Sequence, residues 1–275
     1  MMTVLNPFPG ATPLADEYRA IVAACARTPT DFGSFDASVY DPRSVREASL
    51  RWRKRMVDEY GSTTVFSALT AQLHEANATL DATAVTLRMA EDELRHAEVC
   101  GQVVRAMGGD PRTRRDASVR PLAIHPGCSP EGRALRNVIV TSVSEMYSVA
   151  FFVATLEGMT DPYLRAVTRH LLADEVLHGR FGFFYLEAWA DWLARRPEER
   201  GRISTYLRYV FAVCEREFVR EADDRPKGAD DEALGLLTSA AARDVFLATM
   251  ERAVAPGLDR YGLDATLAWR TRSLS

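Results

Sequence analysis

Cysteine is scarce in this chain: there are four in 275 residues, Cys25, Cys100, Cys128 and Cys214, with no C-x-x-C pair among them. That argues against a disulfide framework and a thiolate zinc site, and points to a reducing cytosol. A basic surplus is also missing, since 34 Lys and Arg against 38 Asp and Glu leave a formal charge of −4. Wrapping nucleic-acid phosphates needs a basic face, so nucleic acid is not an expected partner. The first thirty residues lack the basic start and apolar stretch of a secretory signal, and the expected location is cytoplasmic. Long hydrophobic runs are rare. The one stretch that raises the question of a membrane span, 138–156, is interrupted by Thr141, Ser142, Ser144, Glu145 and Ser148. An unpaired carboxylate at mid-bilayer is costly, so no membrane is expected.

What the sequence does have is 47% hydrophobic and 26% charged residues, enough to bury one large core. No strand alternation stands out, whereas Ala/Leu/Arg/Glu-rich stretches with three-to-four-residue apolar spacing recur between Gly and Pro punctuation. This predicts an all-α fold. Helices are expected over 13–27, 44–77, 80–107, 131–156, 161–196, 198–221 and 231–254, with a Pro/Gly/Arg-rich crossover at 108–130. Asp161-Pro162 is a helix start, the aspartate as N-cap and the proline in the first turn. No linker divides the chain, so 1–275 reads as a single domain with a four-helix core at about 44–195.

Two of these helices carry the same motif. Glu93-Leu-Arg-His96 and Glu175-Val-Leu-His178 are both Glu-x-x-His, which puts a carboxylate and an imidazole on one helical face. One copy is usually a solvated surface. Two copies on consecutive antiparallel hairpins match the pattern of two-metal carboxylate bundles, which also need one Glu from each remaining helix. Height selects those partners, because residues facing each other across a hairpin are equidistant from its turn. Glu145 and Glu175 each lie 15 positions from residue 160, inside the Gly158–Pro162 turn, while Glu59 and Glu93 each lie 17 positions from residue 76, where the preceding helix ends. Glu157 and Glu75 fail this test.

The candidate metal ligands are therefore Glu59, Glu93, His96, Glu145, Glu175 and His178. Four buried carboxylates repel or take up protons unless cations neutralise them, and hard oxygen ligands with one imidazole per metal suit iron or manganese. Asp92 and Asp174 precede the two ligand glutamates, and each is expected to receive an imidazole N–H across the bundle, Asp92 from His178 and Asp174 from His96. Arg95 is expected to pair with one of these aspartates or to face solvent. Ser148, one turn beyond Glu145, is a candidate proton relay or a packing residue. Phe66, Met89, Phe151 and Phe152 read as core or as the lining of an apolar pocket, and the cluster Arg51, Arg53, Lys54 and Arg55 as a solvated face or a docking patch.

Asp92-Glu-Leu-Arg-His96 resembles the D-E-x-R-H element of ferritin-like di-iron oxidases and oxygenases, with Asp174-Glu-Val-Leu-His178 as its partner, and the likeness covers about residues 44–195. It implies a ferritin-like four-helix bundle with extra N- and C-terminal helices. It further implies two iron ions, or manganese or a mixed pair, with O2 as co-substrate and Glu93 and Glu175 changing their mode of coordination during the reaction. The expected activity is oxidation of a small-molecule or carrier-bound organic substrate by hydroxylation, desaturation or a related step. Electrons would come from a reductase or ferredoxin. The alternative is an iron-handling protein with ferroxidase or peroxidase activity and no organic substrate. Aryl-amine oxygenases of the family carry a further histidine where this chain has Leu171, and His170 is expected to face elsewhere, which disfavours N-oxygenation. The extra helices leave room for an oligomer contact such as a homodimer.

Overall fold

A computed structural model describes residues 2–5, 31–116, 122–219 and 228–274. Four long helices dominate it. α1 (Pro42–Glu75) begins on Asp41, whose side chain accepts from the Ser44 N–H at 2.9 Å, with Pro42 in the first turn. α2 (Leu80–Ala106) follows a tight turn in which Asn77 takes a φ of +51°, a left-handed conformation that asparagine tolerates better than most residues. α3 (Pro130–Gly158) is capped by Ser129, and α4 (Pro162–Ala188) by Asp161, which accepts from the Leu164 N–H at 2.7 Å. α1 and α2 form one antiparallel hairpin and α3 and α4 another, with α1 packed on α3 and α2 on α4.

The apolar residues of this bundle fall into two clusters. One holds Phe66, Leu69, Leu73, Leu135, Ile139 and Leu186; the other holds Trp52, Met56, Val99, Val103, Leu164 and Leu171. Along every long helix the polar residues Glu59, Glu93, Glu145 and Glu175 lie near the switch from one cluster to the other. A buried polar layer thus sits between two apolar ones.

The expected bundle helices are present with ends within two residues of the sequence reading, save one. The helix expected over 161–196 stops at Ala188, because Trp189 leaves helical geometry and stacks on Tyr185 with ring centroids 5.7 Å apart. A short α5 (Ala190–Ala194) follows, and α6 (Pro197–Phe218) starts on its proline. The helix expected over 231–254 is also corrected. Residues up to 237 make turns around Gly235, at φ +75°, and α7 (Ser239–Thr249) starts on Thr238, which accepts from the Ala241 N–H at 3.1 Å. A π-turn, Met250–Val254, then widens the helix just before Pro256, whose ring would otherwise meet the carbonyl four residues back. α8 (Ala255–Asp259) and α9 (Ala265–Arg270) complete the C-terminal part.

Strand structure is present after all, as a ribbon of β1 (Met2–Leu5) and β2 (Thr113–Asp116), antiparallel with Thr3 opposite Arg115. Four residues per strand are too few to leave a readable alternation. The helix expected over 13–27 lies outside the described residues. Among the described helices, α3 alone has the length and mean hydropathy of a membrane span, and it packs on α1, α4, α6 and α7.

Candidate metal centre

Each long helix brings one glutamate to the polar layer, because the four heights set by the two turns coincide. Glu59 on α1, Glu93 and His96 on α2, Glu145 on α3, and Glu175 and His178 on α4 are all buried. Their donor atoms form two groups of four, each group with all its atoms within 4.8 Å of one another: Glu59, Glu93, His96 and Glu175, and Glu93, Glu145, Glu175 and His178. Glu93 and Glu175 belong to both groups. The expected set of six is brought together, while the two rejected glutamates lie outside it, Glu157 exposed and Glu75 exposed and paired with Arg133.

Both imidazoles turn Nδ1 inward. His96 Nδ1 is 3.3 Å from Glu175, 3.7 Å from Glu59 and 3.9 Å from Glu93; His178 Nδ1 is 3.2 Å from Glu93 and 3.8 Å from both Glu145 and Glu175. The opposite nitrogens meet the aspartates in the crossed arrangement expected, His178 Nε2 at 3.4 Å from Asp92 and His96 Nε2 at 3.5 Å from Asp174. Arg95 does not face solvent. It is buried between the two aspartates, against Asp92 and 3.4 Å from Asp174.

By themselves these side chains are frustrated. Burial and the neighbouring Glu59 and Glu175 charges push the Glu93 carboxyl well above its ordinary range, and burial with Glu175 and Glu93 does the same to Glu145. Burial raises Glu59 as well, but His96 and the Arg55 charge overcome that and hold it at about 2. His96 and His178 are raised despite burial, because carboxylates surround them. Asp174 is drawn down to about 2 against its burial by His96 and Arg95.

Several buried atoms facing the centre have no hydrogen-bond partner: Glu93 Oε2, Glu175 Oε2 and the Nδ1 of both His96 and His178. Buried polar atoms normally find partners, so inward-facing acceptors gathered in one place fit metal ligation. Two divalent cations would satisfy these atoms and balance the four carboxylates at once.

A cavity of about 790 Å³ reaches this layer from the α1 and α3 side. Glu59, Glu93, Glu145 and Glu175 form its floor, and Trp52, Tyr147, Phe151 and Phe152 its apolar wall. The C-terminal end of α6 and residues 234–242 complete it. Ser148 lies on this wall beside Glu145. Phe66 and Met89 are core, as expected, and Leu171 is fully buried in an apolar cluster. His170 packs edge-on against Phe32 with ring centroids 5.3 Å apart and is no part of the six.

Of two further residues near the centre, Arg88 was missed at the level of sequence and Arg55 was read as part of a charged surface cluster. Arg88 places Nε 2.8 Å from Asp92, and Arg55 places Nη1 3.4 Å from Glu59 while lying over Phe152 at 4.2 Å from the ring centroid. Both stand four positions before the acid they meet, so helical i,i+4 spacing was the available signal. Arg55 is thus no member of a solvated face. Comparison with protein-family models, curated proteins and solved structures gave no match for this chain.

Proposed function

We propose that the chain is a cytosolic, ferritin-like di-iron oxidoreductase that uses dioxygen to oxidise an organic substrate. One observation carries the reading above others: two ligand groups share Glu93 and Glu175, and their carboxylates form the floor of a cavity within the size range of small-molecule sites. The cavity favours an organic substrate over iron handling alone, which needs no such room.

Glu59 and His96 would hold one iron, Glu145 and His178 the other, with Glu93 and Glu175 common to both; manganese would suit the same donors. When bound, the metal pair supplies dioxygen activation and the redox chemistry. The remaining work falls to the chain's own residues. Asp92 and Asp174 fix each imidazole so that Nε2 carries the proton and Nδ1 the lone pair. Phe151, Phe152 and Trp52 keep water from the floor of the cavity. Ser148 offers a hydroxyl one turn from Glu145, where a proton can be passed between the floor and the cavity. Electrons come from a separate reductase or ferredoxin-type protein.

Metal analysis of protein from iron-supplemented cells tests this directly. The expected result is about two irons per chain, none in Glu93→Ala, and consumption of O2 when the reduced protein meets air. A chain without metal would sink the reading. Loading far above two irons per chain, in a multimeric shell, would instead make the protein an iron store.

A further inference from the structure

Three acids near the cavity mouth each have a cation of their own. Glu47 pairs with Arg51 at 2.8 Å, Asp58 with Lys54, and Glu217 with Arg216 at 3.0 Å. Deeper in, Arg88 and Arg95 are answered by Asp92 and Asp174. Among the described residues of the cavity wall, Arg55 is the exception. Its acid contact, Glu59 at 3.4 Å, is a proposed metal ligand, and the rest of its guanidinium lies over Phe151 and Phe152 at 5.3 and 4.2 Å from the ring centroids.

Charge then decides what is missing. Once two divalent cations balance Glu59, Glu93, Glu145 and Glu175, Glu59 no longer offsets Arg55. A partly buried guanidinium with five N–H donors is left facing an apolar cavity without a counter-charge, which is costly until an anion arrives. Guanidinium geometry matches a carboxylate in bidentate fashion, and aromatic rings beneath it hold the plane in place. We infer that the cavity takes an organic carboxylate, its acid group seated on Arg55 and its apolar body against Phe151, Phe152, Tyr147 and Phe218. This rests on the two-metal reading of the floor. Arg55 and Glu59 are one helical turn apart, about 6 Å of rise, so the carbons nearest the acid group lie closest to the ligand glutamates.

Calorimetric binding of three matched probes to metal-loaded protein under nitrogen tests the assignment: 3-phenylpropionate, 3-phenyl-1-propanol and 3-phenylpropylamine, with acetate as a fourth. The acid should bind at least about tenfold more tightly than the alcohol or the amine. Arg55→Gln should remove that preference and leave the alcohol unchanged, and Arg55→Lys, which keeps the charge without the fork, should fall between. Metal content is measured in every sample. A wild-type chain without metal overturns the two-metal reading and this one with it. A metal-loaded chain that binds acid and alcohol alike overturns the carboxylate assignment alone. So does acetate binding as tightly as 3-phenylpropionate, because the metals rather than Arg55 would then be selecting the acid. If Arg55→Gln loses its metal, Arg55→Lys carries the test: unchanged affinity for the acid sinks the proposal.

Discussion

The two hairpins carry the same ligands in the same order but very different charge around them. One turn before Glu59 stands Arg55; one turn before Glu145 stands Thr141, whose hydroxyl donates to the Val138 carbonyl at 2.9 Å. Four positions before Asp92 is Arg88, and four before Asp174 is His170, whose imidazole burial pushes down. Three positions after Asp92 is Arg95, and three after Asp174 is Leu177. Three arginines therefore serve the first hairpin at positions where the second has none. Part of the effect is visible in one pair of acids: His96 and then Arg55 hold Glu59 at about 2, while Glu145, with no arginine one turn before it, is raised well above its ordinary range. The repeat sets ligand geometry, and the unrepeated neighbours make the two halves of the centre electrostatically unequal.

The largest effect expected is at a residue the halves share. Glu93→Ala should abolish binding at both positions, which elemental analysis would show as loss of all metal rather than half. Retention of one metal per chain would mean that the halves are independent. Next come the aspartates. Replacing a residue that orients a ligand histidine typically costs 10–100-fold in metal affinity, by about the same factor for either imidazole. Stability should separate them. Asp92→Asn strips acid partners from Arg88, Arg95 and His178, whereas Asp174→Asn affects Arg95 and His96, each at 3.4 Å or more. Denaturant unfolding should show a loss of about 3 kcal/mol for Asp92→Asn and clearly less for Asp174→Asn. Equal losses would erase the asymmetry.

The pH dependence sharpens the same contrast. A group whose folded pKa is raised stabilises the fold below its unfolded value and ceases to do so as pH climbs through the folded one. Glu93, Glu145, His96 and His178 are all raised, so chelated protein should lose thermal stability steadily from about pH 5 to pH 8. Glu59 and Asp174, lowered to about 2, stabilise the fold above their unfolded values and lose that only as pH falls toward 2. Metal-loaded protein should show little of the neutral-range slope. Glu145→Gln should flatten the slope of the chelated chain and Glu59→Gln should not. The reverse order would make Glu59, and not Glu145, the frustrated member of that pair.

The six-residue set was readable from sequence because helix rise is fixed and both turns are short. Equidistance from residues 76 and 160 then fixes height, and height selects Glu59 over Glu75 and Glu145 over Glu157. Helix starts were readable wherever a cap announces itself, as at Asp161-Pro162. The break at Trp189 was not, since it arises from aromatic rings packing on one another and not from Gly or Pro. Nor was the late start of α7, because 231–238 is apolar and acidic enough to pass for helix until Gly235 takes positive φ. The cavity was out of reach for a deeper reason. Its wall joins α1, α3, the end of α6 and residues 234–242, and sequence spacing says nothing about which distant segments meet. Arg55 was misjudged as surface on the same ground, although its i,i+4 relation to Glu59 was there to be seen.

The smallest effects expected lie in the glycines, where the hairpins differ again. A Cβ on Gly182 of α4 would fall 1.5 Å from Ser142 Oγ on α3, whereas one on Gly61 of α1 would meet nothing within 4 Å. The second hairpin therefore depends on a bare backbone for close helix approach, and the first merely tolerates one mid-helix. Gly182→Ala should cost about 1–3 kcal/mol, because Ser142 must move and its hydrogen bond to the Val138 carbonyl goes with it. Gly61→Ala should instead stabilise by about 0.5–1 kcal/mol, through lower backbone entropy in the unfolded chain. Both can be read from denaturant midpoints at constant slope, with metal content as a control. If Gly182→Ala proved neutral, the α3/α4 contact would be loose enough to give, and the height match between Glu145 and Glu175 would not depend on it.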